Sequence, residues 1–208
     1  MSDPVADSIR FANANQAPGN TPLTPDELAG LRPSLATKGE LDEFERSNIL
    51  EANRWAFSPR VLKREDPFIE PYLRELHRRM FDQTWRWAGK YRKTDKNLGV
   101  PFHQIMNEIA ALLGDVHFWL ENGTFDIEEI AIRYHHRLVW THPFPNGNGR
   151  HARLLADVIA VKSGRERFTW GLKESKEAGP ARAEYIRCLK AADANNNDIQ
   201  GLLNFARS

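Results

Sequence analysis

A single cysteine, Cys188, stands among 208 residues. One thiol excludes an intrachain disulfide and a cysteine-held zinc cluster, and it fits a reducing compartment best. Charge of one sign is also missing: 29 basic side chains face 28 acidic ones, for a net +1 with histidine neutral. No basic field or acidic tail points to direct nucleic-acid binding. No apolar run approaches the roughly 18 residues that span a bilayer, so no membrane partner is expected. The opening Met1-Ser2-Asp3-Pro4 has neither the basic nor the apolar stretch of a secretory leader, and the expected location is cytoplasmic. Repeats and low-complexity tracts are absent. His135 and His136 lack His-Glu-x-x-His spacing, so they read as packed helix residues rather than metal ligands.

What is present is the composition of a globular domain, with 41% hydrophobic and 27% charged residues. Pro4, Pro18, Pro22, Pro25 and Pro33 make residues 1–36 an extended arm with one short helix near Asp26 to Leu31. Apolar periodicity then predicts helices over 40–56, 67–80, 103–121, 127–138, 149–163, 180–192 and 199–206. Gly123 closes the third of these, and Asp126 caps the fourth with Glu129 completing a capping box. Residues 90–103, with Lys90, Arg92, Lys93, Lys96, Gly99 and Pro101, break the helical period and read as an exposed hairpin. The expected fold is all-α with one small β-hairpin.

The chemistry concentrates in residues 142–153, His-Pro-Phe-Pro-Asn-Gly-Asn-Gly-Arg-His-Ala-Arg. A glycine-rich turn opening a helix directs unpaired N–H groups and the positive end of the helix dipole at one point, which suits an anion. Arg150 and Arg153 add planar donor forks that match phosphate oxygens. His142 supplies an imidazole that is largely neutral and basic near pH 7. The segment reads as a polyphosphate cradle with a base beside it.

This segment resembles the signature of the Fic family, His-x-Phe-x-Asp/Glu-Gly-Asn-Gly-Arg-x-x-Arg, and departs from it at Asn146, where the family usually has a carboxylate. Trp87 to Arg92, Tyr185 to Asp193 and Leu202 to Phe205 are similar to further family segments. The whole chain also resembles the Fic-type group called mobile mystery protein B. The resemblance implies a Fic-type helical bundle, with residues 1–36 as arm, 37–60 as an inhibitory helix and 61–208 as catalytic core. It implies transfer of AMP from ATP, with Mg²⁺, to a Ser, Thr or Tyr hydroxyl of a target protein; self-association stays open.

His142 would be the general base and Arg150 the group that neutralises departing pyrophosphate. Asn146, Gly147, Asn148, Gly149, Arg150 and Arg153 would hold the nucleotide, Tyr185 would lie at the adenine, and Asn146 would be a weakened Mg²⁺ ligand. The hairpin would dock the target segment. A nucleotide-binding interaction module is the alternative, with weak transfer, removal of AMP or another nucleotide donor.

Upstream, Ser47 to Asn53 resembles the inhibitory motif of autoinhibited Fic proteins, with Ser47 and Glu51 at its fixed positions and Ala52 departing from it. At about 100° per residue, Phe44, Asn48, Glu51, Ala52 and Trp55 share one side of a helix. A carboxylate on that side needs a partner, and motif position assigns Glu51 to Arg153.

Overall fold

The computed structural model describes residues 21–35, 37–171, 178–195 and 198–208. The elements in chain order are helices α1 (Pro25–Leu28), α2 (Lys38–Ala56), α3 (Pro59–Arg64), α4 (Glu70–Phe81), α5 (Ile105–Asn122), α6 (Ile127–Thr141), α7 (Asn148–Lys162), α8 (Ala178–Ala194) and α9 (Gln200–Arg207). A short 3₁₀ turn, Phe102–Gln104, leads into α5. The expected all-α class holds.

Local chemistry sets the helix ends. Thr37 and Glu40 form a reciprocal capping box at the start of α2. Asp126 accepts from the backbone of Glu128 and Glu129 to start α6. Gly123, at φ 59, closes α5. Pro59 opens α3, a helix that the sequence reading passed over because it took Ser58-Pro59 only as a stop.

Helix α7 runs through the centre. His151, Ala152, Leu154, Leu155, Ala156, Val158, Ile159 and Ala160 are all buried along it, as expected for a helix apolar on nearly every side. It packs on α6, α4 and α3, while α2 lies on α4. One continuous apolar core reaches from Leu23 to Ala206.

The β-hairpin expected over residues 90–103 is not formed. No paired strand occurs among the described residues, apart from an isolated bridge between Leu31 and Trp85. The backbone of this segment bonds to the end of α6 and the loop after it rather than pairing as strands. Arg92 N–H donates to Pro143 O at 2.9 Å, and Val100 N–H to Thr141 O at 3.3 Å. The Arg92 guanidinium, buried here, donates to the carbonyls of His142, Thr94 and Val100. One arginine satisfying three carbonyls removes the need for a strand partner.

The arm is more structured than its prolines suggest. Residues 1–20 lie outside the described residues, but Leu23 and Leu28 are buried in the core. Arg32 N–H donates to Thr84 O and Arg86 N–H to Gly30 O, each at 2.8 Å. The arm thus reaches the site bonded to the segment that follows α4.

Candidate active site

Residues 142–153 begin where α6 ends. His142 is its C-terminal cap, in the left-handed region at φ 53 and ψ 58, with its N–H bonded to Leu138 O at 3.0 Å. A non-glycine residue there is strained and needs support. Arg92 provides it by donating from Nε to the His142 carbonyl at 2.8 Å. Gly99 passes so close that a Cβ on it would lie 2.4 Å from the His142 Cβ, so this neighbour must be glycine.

The loop is pinned by two side chains. Asn148 accepts from Phe144 N–H and donates to Phe144 O, both at 2.9 Å. Phe144 is fully buried and stacks on His77, centroid to centroid 3.7 Å. His77 Nδ1 accepts from Gly89 N–H at 3.0 Å, which leaves Nε2 to donate to the Asn146 carbonyl at 3.1 Å. Burial holds the His77 pKa well below its ordinary value, so a neutral imidazole fills this two-sided role. The sequence reading missed His77, because a histidine within an amphipathic helix carries no mark of its distant partner.

Helix α7 then starts at Gly147, φ 79, with no side chain capping it. Its first-turn N–H groups have no helical acceptor, an arrangement that suits an anion. The cavity is about 850 Å³ and is lined by His142, Asn146 to Arg150, Arg153 and Tyr185. All the residues expected to handle nucleotide therefore meet there. Gly147 N–H itself is turned onto Asn146 Oδ1 at 2.5 Å, and the amides of Asn148 to Arg150 have no backbone acceptor among the described residues.

The expected partners at the far wall differ. Glu51 is exposed and accepts from Gln83 at 2.8 Å; Ser47 is exposed too, and neither lines the cavity. The expected Glu51–Arg153 pair is not present. The glutamate that reaches a motif arginine is Glu45, whose Oε2 lies 2.6 Å from Arg150 while Oε1 accepts from Trp85 Nε1 at 2.7 Å.

The buried face of α2 is Leu41, Glu45, Asn48, Ala52 and Ala56, about a residue round from the face expected. Phe44 and Trp55 drew that reading, yet Phe44 is exposed and Trp55 stacks on Tyr72 at the rim. The inward face is held partly by polar bonds, including Thr84 Oγ1 to Asn48 Oδ1 at 3.0 Å, which an apolar count does not register.

Arg153 lies over the Tyr185 ring at 4.9 Å. Tyr185, expected at the adenine, is buried, and its hydroxyl meets His135 Nε2 at 2.9 Å. His136 bonds Asp193 at 2.9 Å.

The expected Mg²⁺ ligand set does not fit the metal. Asn146 offers one neutral amide oxygen, already facing Gly147 N–H and, at 3.4 Å, the Arg150 guanidinium. No group of three or more His, Cys, Asp or Glu suited to a metal occurs among the described residues. Mg²⁺ favours carboxylate oxygen over a neutral amide.

Burial, with Arg92 and Lys96 nearby, lowers the His142 pKa to about 4 against a bond to the Val139 carbonyl. The ring is therefore neutral at pH 7. Its Nε2 is 2.8 Å from Thr21 Oγ1 of the arm, a contact the arm's sequence gave no means of anticipating.

An all-α core thus brings an uncapped helix start, two arginines and a neutral imidazole to one cavity. Residues 67–160 match the model of the Fic/DOC family, and the chain carries a Fic/DOC family domain. It is 28% identical over 158 residues to the protein adenylyltransferase Fic of Nematostella vectensis, covering 73% of this chain and 37% of that protein. It is 36% identical over 141 residues to the protein adenylyltransferase fic-1 of Caenorhabditis elegans, covering 66% and 23%. The chain thus corresponds to between about a quarter and two fifths of these relatives' length. Among solved structures, C. elegans Fic-1 aligns with a TM-score of 0.64 at 23% identity, over 100% of this chain and 62% of the other. The BepC protein of Bartonella tribocorum, with bound AMPPNP, aligns at 0.61 and 19% identity, over 84% and 88%.

Proposed function

We propose that the chain is a protein adenylyltransferase, moving AMP from ATP to a hydroxyl side chain of a target protein and restrained by α2. The observation that carries this reading is the neutral His142 Nε2 facing a hydroxyl at 2.8 Å, in the same cavity as the free N–H groups of α7. That is the geometry of an alcohol handing a proton to a base beside a bound phosphate. Relatives named protein adenylyltransferase and a neighbour holding AMPPNP support the same donor.

In this reading the amides of Asn148 and Gly149 bind phosphate oxygens, and Arg150 stabilises the charge that develops on the departing pyrophosphate. His142 takes the proton of the incoming hydroxyl, whose oxygen attacks the α-phosphorus. Arg153 reaches the terminal phosphate after leaving the Tyr185 face. Mg²⁺ would be held by the nucleotide's own phosphates and would supply charge neutralisation there.

Restraint follows from Glu45. Its ion pair occupies the arginine that the pyrophosphate needs, and Glu45, not Glu51, takes the inhibitory role. Movement of α2 would release Arg150. The neutral Asn146 favours a second reading, a nucleotide-binding module with weak transfer. ATP labelled at the α- or the γ-phosphate separates the two: retention of α-label alone on protein supports AMP transfer, whereas nucleotide binding with no retained label in Glu45→Gly supports the module.

A further inference from the structure

The hydroxyl on His142 belongs to the chain itself. Thr21 Oγ1 lies 2.8 Å from His142 Nε2, buried, and across 121 positions of sequence. In the tautomer with the proton on Nδ1, Nε2 is the acceptor and Thr21 donates to it, as an attacking alcohol would.

The segment is held in place and has not merely drifted there. Lys96 Nζ donates to the Pro22 carbonyl at 2.9 Å and pairs with Glu27. Glu27 also closes the capping box with Thr24. Leu23 is buried next to the site. Thr21, Pro22 and Leu23 line the same cavity as Asn148 to Arg150 and as Leu98 to Pro101 of the segment where a target was expected to dock.

We propose that Thr21 is an intramolecular acceptor, adenylylated by the chain's own His142. The proposal rests on the AMP-transfer reading. The Thr21 hydroxyl proton passes to His142 Nε2, Oγ1 bonds to the α-phosphorus of ATP, and the bond from that phosphorus to the bridging oxygen breaks. Pyrophosphate leaves with the bonding pair, and His142 returns its proton to water. The products are Thr21 O-AMP and pyrophosphate. Nothing is oxidised or reduced.

The test incubates the full chain bearing Glu45→Gly, alone or with cell lysate, with Mg²⁺ and α-labelled ATP. Labelled sites are mapped by mass spectrometry at widely different protein concentrations. The expected result is one AMP on the peptide containing Thr21, with a rate constant independent of concentration because acceptor and base share a chain. Thr21→Ala should lose this label and Thr21→Ser keep it, while lysate proteins stay labelled with both, which shows that the site still folds and works. Thr21 unmodified while lysate proteins are labelled would overturn the proposal and leave the transfer reading intact. A rate rising with protein concentration would overturn the intramolecular route. No label on any protein, the chain's own or the lysate's, would overturn both.

Discussion

Glu45 and Arg150 meet at 2.6 Å where α2 crosses the start of α7, and Trp85 fixes the other carboxylate oxygen. The two residues lie 105 positions apart. In the proposed reading, the pair couples the position of a peripheral helix to the availability of an arginine for phosphate.

Removing Glu45 should therefore activate the protein. Replacing it with glycine breaks a charge-assisted bond worth about 1.5–3 kcal/mol, which corresponds to roughly 10- to 100-fold in the fraction of chains with Arg150 released. Initial rates of AMP transfer should rise by an amount in that range for Glu45→Gly and by less than about twofold for Glu51→Gly. Equal stimulation by the two substitutions would remove Glu45 from its role.

The pH profile follows from His142. Its pKa of about 4 leaves the base form intact well below neutrality. An ordinary imidazole, with a pKa near 6.5, would lose about tenfold between pH 8 and pH 5.5. Here kcat/KM should stay flat over that range, and a break near 6.5 would show that the proton acceptor is an unperturbed group.

Acid stability is set by the same burial. His142 and His151 titrate near 4, and His77, His135 and His136 are also lowered by desolvation. Folding depresses these pKa values below 6.5, so between 6.5 and the native value the unfolded chain binds protons that the native protein refuses. Stability consequently rises with pH through that window and is lost as pH falls through it. His142 and His151 each subtract roughly 1.4 kcal/mol per pH unit below 6.5 until about 4. Thermal unfolding should show Tm falling steadily from pH 7 to pH 5; a constant Tm would contradict the buried neutral histidines.

The mismatch between Asn146 and Mg²⁺ has a direct test. Asn146→Asp replaces a neutral oxygen with a carboxylate of the kind Mg²⁺ prefers. The Mg²⁺ concentration for half-maximal transfer should fall about tenfold in the variant. Superimposable Mg²⁺ titrations for the two proteins would show that residue 146 takes no part in metal use.

The sequence carried the helices and the cradle because both are local. Apolar residues on α5, α6 and α7 recur at helical spacing, and residues 142–153 hold their glycines, imidazole and arginines within twelve positions. Relations that cross the chain were another matter. The face of α2 was misread because Glu45 and Asn48 bury polar groups against Trp85, Thr84 and Arg150, while the large apolar Phe44 stays in solvent. Motif spacing then assigns the glutamate to Glu51, which meets Gln83. The spacing Leu41, Glu45, Asn48, Ala52, Ala56 was a readable signal, since it follows the helical period with small residues that permit close approach. Arg92 turned an expected hairpin into a loop through bonds to three carbonyls that no pattern announces. Thr21, in a proline-rich arm, had no local mark at all.

The measurement closest to the central claim compares Glu45→Gly with Glu45→Gly/His142→Ala, using α-labelled ATP and lysate protein. Nucleotide binding should be alike in the two, because His142 stands at the acceptor side of the cradle. The account predicts label on hydroxyl side chains with the first protein and a loss of at least about a hundredfold with the second, the typical contribution of a general base. Equal labelling by both would contradict it.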